Sequence, residues 1–150
     1  MKFFRPLLIL TALALILTGP LRAESQNRMA AGIMVGDPSG ITLKFGQFPV
    51  LAFGWSGIHS RLHLNLDYWI INRVLEEPFY WYLGVGGKIW IWGNRNAAGT
   101  DSFALGARVP VGLQWFFADD WELFLEAAPG IAVIPVGFWW DAGLGLRYYF

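Results

Sequence analysis

Two histidines, His59 and His63, are the only imidazoles in the chain, and there is no cysteine. A serine nucleophile would need a neighbouring base and an acidic group to orient that base. Ser60 adjoins His59, and Asp67 follows His63 at a spacing of four. In an extended strand adjacent residues point to opposite faces, so His59 and Ser60 make a poor pair. His63 and Asp67 share a face, yet four strand residues span roughly 13 Å. Neither arrangement is a dyad, and His63 reads better as a satisfied interior histidine. The glycine-rich run Gly84 to Lys88 (GVGGK) resembles part of a phosphate loop, but it lies inside a strand pattern with no helix after it. Its glycines are expected to make room. No two-histidine metal spacing and no dinucleotide fingerprint occurs. The expectation is no catalytic residue, no metal and no cofactor, and a protein that is not an enzyme.

The charged residues carry more information. There are 11 Lys and Arg against 11 Asp and Glu, only 15% of the chain, while 55% is hydrophobic and nine residues are Trp. An ordinary soluble domain is roughly 25% charged. No basic run of the kind that binds nucleic acid is present, so no nucleic-acid partner is expected.

The elements that would position these charges alternate at period two, the mark of a β-strand with two different faces. From Phe138 to Phe150, residues Trp140, Ala142, Leu144, Leu146, Tyr148 and Phe150 form one row, and Trp139, Asp141, Gly143, Gly145, Arg147 and Tyr149 the other. Leu62, Leu64, Leu66, Tyr68 and Ile70 likewise oppose His63, Asn65, Asp67 and Trp69. Similar segments lie at Met29 to Val35, Ile41 to Phe45, Val50 to Ser56, Tyr82 to Trp92, Leu105 to Trp115 and Trp121 to Ala128, which brings the count to eight. GDPSG (Gly36 to Gly40) and Ala118-Asp119-Asp120 read as tight turns. Asn72 to Pro78 reads as a polar connection, Gly93 to Asp101 as the most polar loop, and Pro135 as part of the last connection. Pro110 and Pro129 fall inside strands, where each removes a ladder donor, and a bulge is expected at either.

Two closed barrels fit eight such strands. A soluble, lipocalin-like periplasmic barrel that binds lipid would turn its apolar row inward, and an outer-membrane barrel turns it to lipid. The second row decides: it is padded with Gly and Ala and carries one or two charges per strand, which suits a narrow interior. Aromatics also gather at strand ends, with Tyr68, Trp115, Trp121, Tyr148 and Phe150 at one rim and Trp55 and Trp140 at the other. Lys2 and Arg5 precede an apolar run, Leu7 to Leu17, and Ala23 is a small residue suited to cleavage, the layout of a secretory signal. The expected organisation is a cleaved signal peptide over residues 1–23 and a β-barrel domain over 24–150. The expected fold is an all-β, eight-stranded, antiparallel, up-and-down transmembrane barrel. On this register Lys44, Lys88, Arg108 and Arg147 meet Asp67, Glu122, Glu126 and Asp141 inside. Buried charges persist only when paired, so these eight residues are expected to form an interior ionic network. A narrow gated channel and a lipid-modifying enzyme are the alternative functions to a structural or surface-interacting one.

Four segments also look familiar: GDPSG, RVPVGLQWFFADD (Arg108 to Asp120), FLEAAPG (Phe124 to Gly130) and GLGLRYYF (Gly143 to Phe150). They resemble a family of small outer-membrane β-barrels of OmpA or OmpX type. The resemblance implies a monomer in the cell outer membrane, with outer-membrane lipids and lipopolysaccharide as neighbours. It also implies insertion by the outer-membrane assembly machinery, which reads a C-terminal aromatic such as Phe150.

Overall fold

A computed structural model of the protein describes residues 28–92, 103–134 and 136–150. The signal expected over residues 1–23, the polar loop at Gly93 to Asp101, and Pro135 lie outside the described residues. The described residues form nine strands: β1 (Met29–Asp37), β2 (Ser39–Phe45), β3 (Val50–Ser56), β4 (Arg61–Glu76), β5 (Phe79–Trp92), β6 (Phe103–Arg108), β7 (Val111–Ala118), β8 (Trp121–Ile134) and β9 (Val136–Tyr149). Each pairs antiparallel with its neighbours in one sheet. β1 pairs with β9 from Ala30 opposite Tyr149 to Asp37 opposite Ala142, and this closes the sheet into a ring.

β6 and β7 occupy a single place in the ring, between β5 and β8, so nine strands fill eight positions. Pro110 separates them without disturbing register. On one side Arg108 faces Gly86 and Val111 faces Leu83. On the other, Arg108 faces Gly130 and Val111 faces Ala127. Three residues are spanned on each partner, and none is inserted. The bulge expected at the prolines is therefore corrected. Pro110 only forgoes its own donor, while its carbonyl accepts from Gly84 N–H at 2.8 Å and Val109 N–H donates to the Pro129 carbonyl at 3.0 Å. β8 runs unbroken through Pro129, which sits opposite Trp140.

An irregularity does occur in β4. Trp69 faces Gly84 and Ile71 faces the next residue, Leu83, so one extra residue is accommodated. A bulge of this kind switches which side chains point inward, and Asn72 is buried as a result. Strict alternation misses this, and the polar connection expected from Asn72 is corrected: residues through Glu76 continue the strand.

Around the ring, charged and hydrogen-bonding side chains face the interior together with several aromatics such as Trp69 and Phe124, and most aliphatic ones face outward. Thr42, Lys44, His63, Asn65, Lys88 and Gln114 are buried, while Leu64, Leu66, Ile70, Leu113, Leu125 and Leu144 are exposed. Eight positions leave room only for side chains, and glycines opposite large rings create that room. Tyr82 lies opposite Gly112, and a Cβ on Gly112 would sit 2.2 Å from the Tyr82 Cζ. Phe124 lies opposite Gly145, and a Cβ there would meet the Phe124 ring at the same distance. Tyr82 also stacks on Trp69, with centroids 3.9 Å apart and planes 11° from parallel.

The two ends of the ring differ. At the end carrying the described termini, exposed aromatics pair edge to face or stack: Phe48 with Tyr68, Phe79 with Trp115, Trp121 with Tyr148, and Tyr148 with Phe150. There Phe150 N–H donates to the Met29 carbonyl at 2.9 Å, and Arg28 forms an ion pair with Asp120. Trp55 and Trp140 are exposed toward the opposite end.

Because Tyr82 is held between Trp69 and the β7 backbone, its ring has nowhere to move when a methyl group is added at Gly112. Gly112→Ala should destabilise the fold by about 1–3 kcal/mol, read as a lower urea midpoint of the refolded protein. In a Tyr82→Leu background the same change should cost distinctly less, because the clash is gone.

Candidate functional site: the interior ionic network

All eight charged residues singled out from the sequence are buried inside the ring. β2 contributes Lys44, β4 Asp67, β5 Lys88, β6 Arg108, β8 Glu122 and Glu126, and β9 Asp141 and Arg147. They fall into two groups.

Arg108 is the centre of the first. Three carboxylates converge on its guanidinium. Nη1 donates to Asp141 Oδ2 at 3.2 Å, Nη2 pairs with Glu126, and Nε lies 3.2 Å from Asp67 Oδ1. The Asp67 contact is electrostatic, since neither of those two atoms has hydrogen-bond geometry to a described partner. Lys88 Nζ pairs with the same Asp141 oxygen. Tyr82 Oη donates to the second oxygen of Glu126 at 2.6 Å. Asp67 reaches this centre across Gly86, its direct partner on β5, where a Cβ would lie 1.9 Å from Asp67 Oδ1.

Arg147 is the centre of the second. Glu122 sits directly opposite on β8 and accepts from Arg147 Nη1 at 2.9 Å. Thr42 Oγ1 accepts from Arg147 Nε and Nη2 at 3.2 and 3.1 Å, and Tyr149 Oη donates to Glu122. The guanidinium lies over Phe124, 3.7 Å from the ring centroid. Lys44 Nζ lies 5.0 Å from the Trp69 centroid and 4.9 Å from that of Tyr149. A cation held over an aromatic face inside a protein gains about 2 kcal/mol or more when desolvated.

The sequence pattern singled out the ions but not Tyr82, Tyr149 and Thr42, whose hydroxyls complete their coordination. All three share the inward parity of their strands, so the signal was present. Which hydroxyl meets which carboxylate depends on cross-ring distance, which alternation alone does not encode.

The candidate histidines have other partners. His63 Nε2 accepts from Arg61 Nε at 3.2 Å, and its ring meets the edge of Trp90. It makes no dyad with Asp67. His59 forms a cluster that local spacing does not reveal: its Nδ1 lies 3.2 Å from Ser56 Oγ and 3.3 Å from Asp37 Oδ2. A serine relay places the nucleophile on one imidazole nitrogen and the orienting carboxylate on the other. Here both meet the same nitrogen, so the relay geometry is not formed. Ser56 Oγ also accepts from His59 N–H at 3.1 Å, and the cluster ties the turn between β3 and β4 to the end of β1. Ser60 occupies that turn with a left-handed φ of 48°.

The arrangement is a clamp. Each arginine joins strands from different parts of the ring, and breaking one partner out of a buried pair commonly costs 3–5 kcal/mol because the remaining charge is stranded. Arg108→Ala removes the ion pair of Asp67 and takes one partner each from Glu126, which keeps Tyr82, and Asp141, which keeps Lys88. Its unfolding temperature in detergent should fall well below that of the parent, by an amount equivalent to about 3–5 kcal/mol. Unchanged stability would mean that Arg108 does not hold the three carboxylates.

Compared with known protein families, with curated proteins and with solved structures, the chain matches none.

Proposed function

We propose that the protein is an integral outer-membrane β-barrel whose interior is a structural clamp and whose role is structural or surface-interacting. The observation that carries this reading is the inverted polarity of the ring. Ions and hydrogen-bonding groups occupy the buried row, and the outward row displays Ile33, Val35, Ile41, Leu64, Leu66, Ile70, Val111, Leu113, Leu125 and Leu144. A soluble barrel is built the other way round. A continuous apolar face of this extent is an interaction surface or an aggregation hazard in water, and a lipid hydrocarbon layer is the solvent that suits it. Closure supports the same reading, since hydrocarbon offers unpaired backbone groups no partners and each would cost several kcal/mol. Pairing of β1 with β9 closes the ring and leaves strand edge free only where β4 and β9 outrun β3 and β1, and we take the protein to be a monomer. The rim aromatics around Trp115, Trp121 and Tyr148 would lie at the lipid headgroups.

A transport role is disfavoured by the interior. The stacked Trp69 and Tyr82 and the Arg108 and Arg147 clusters occupy the space an ion would cross. A lipid-modifying enzyme is disfavoured by the His59 geometry. Phe150, exposed at the rim, is the residue that the assembly machinery would read, as the resemblance to OmpA-type and OmpX-type barrels implies.

The protein should fractionate with outer membranes and migrate faster on gels before boiling than after. A species that neither shifts nor fractionates would overturn the reading. In planar bilayers no stable unitary current should appear. Phe150→Ala should lower the amount assembled in the outer membrane of cells severalfold while leaving refolding into detergent micelles unaffected. Loss of both would show Phe150 to be a folding residue and not an address.

A further inference from the structure

The wall of the ring is uneven. β1, β2 and β3 are consecutive around it, and they hold nine, seven and seven residues. β8 and β9 hold 14 each, and β4 holds 16. With a rise of about 3.3 Å per residue and a tilt of about 40°, seven residues reach roughly 18 Å and 14 reach roughly 35 Å. A bilayer hydrocarbon core is about 30 Å thick. One side of the barrel therefore exceeds the layer and the other falls well short of it.

The flanks of the short wall confirm a step. β3 pairs with β4 only from Arg61 to Asp67, so β4 continues past the end of β3 toward the end that carries the termini. β9 pairs with β1 only as far as Ala142, so Val136 to Asp141 continue past β1 at the opposite end.

Two of the turns that bound the short wall carry a large exposed apolar side chain, while the third, between β1 and β2, carries Asp37 and Pro38, and the β8–β9 tip of the long wall is flanked by exposed Ile134 and Val136. The turns after β4 and β7 carry Glu77 and Asp119-Asp120. The turn between β2 and β3 carries Phe48, which is 56% exposed, and the turn between β3 and β4 carries Ile58, which is 80% exposed. Solvated turns favour Gly, Pro, Asn, Asp and Ser. A large apolar side chain at each end of β3 adds apolar height where that strand lacks it. Trp55, on the outer face of β3, is also exposed.

We propose that the β1–β3 wall is a lipid-contact surface shorter than the bilayer, at which acyl chains are locally thinned and the Phe48 and Ile58 turns are immersed in the apolar layer. The inference rests on the membrane reading and adds a place to it. A strand wall shorter than the hydrocarbon layer is met by local thinning, at a modest cost per ångström of mismatch. The cost falls on one side of the barrel only, so lipids beside β2 are perturbed and lipids beside β8 and β9 are not. Such a patch recruits short or disordered acyl chains.

The test compares the full chain refolded into vesicles of didecanoyl and of dioleoyl phosphatidylcholine, with folded fraction read by the gel shift. Ile58→Asp should fold like the parent in the thin vesicles and lose about tenfold in the folded-to-unfolded ratio in the thick ones, as a charge moved off the interface would. Ile58→Leu should match the parent in both. Val136→Asp, at the tip of the long hairpin, should be indifferent to thickness. Refolding in detergent micelles, which impose no fixed thickness, should be normal for all three. An Ile58→Asp effect that is equal in both vesicles, absent from both, or already present in micelles would overturn the short-wall contact while the membrane reading stands. A parent chain that acquires no shifted form in either vesicle would overturn the membrane reading and this inference with it.

Discussion

A closed ring of eight strand positions encloses so little volume that every inward residue is constrained by those across from it. This limit governs the rest of the structure. Half the residues of each strand must point inside, and there is not enough space for half to be large. Large rings therefore face glycines: Tyr82 faces Gly112, Phe124 faces Gly145, and Trp139 faces Gly130. Packing density in protein interiors leaves few voids, and here it is reached by pairing the largest residues with the smallest.

The same small volume forces the electrostatics. Eight ions held in one enclosed space carry desolvation penalties that only short-range partners offset. Arg108 and Arg147 act as hubs because a guanidinium presents five donors in a planar fork and can satisfy several acceptors at once. Residues joined by these contacts lie from 18 to 105 positions apart in the chain, so the clamp connects strands that hairpin turns alone do not. The hubs divide the labour: Arg108 gathers carboxylates from β4, β8 and β9, and Arg147 joins β9 to β2 and β8.

Much of this was legible in the sequence because period two is a local property. Leu62 to Ile70 and Phe138 to Phe150 announce two faces without reference to anything distant, and the sign of each face follows from which row carries Asp67, Asp141 and Arg147. What was not legible depends on longer-range geometry. The extra residue near Ile70 reverses the parity of β4, so Asn72 points inward against the pattern. Pro110 and Pro129 looked like defects because a lost donor suggests a lost register, yet their carbonyls keep the ladder in step. The Asp37, Ser56 and His59 cluster was missed because its carboxylate comes from a different hairpin.

The first strand shows how an apparently weak pattern can be a required one. β1 reads poorly as a strand because Ala30, Ala31 and Gly32 offer little alternation. In the ring, Gly32 lies directly opposite Arg147, and a Cβ on Gly32 would sit 2.8 Å from the Arg147 Cγ. Arg147 must pass over this strand to reach Thr42 on β2, so anything larger than glycine at position 32 would collide with the hub or with the Leu146 carbonyl. The small residues that obscure β1 in the sequence are the complement of the arginine that anchors β9. Closure of the ring and placement of its second ionic hub are thus one requirement, met at a single pair of facing residues.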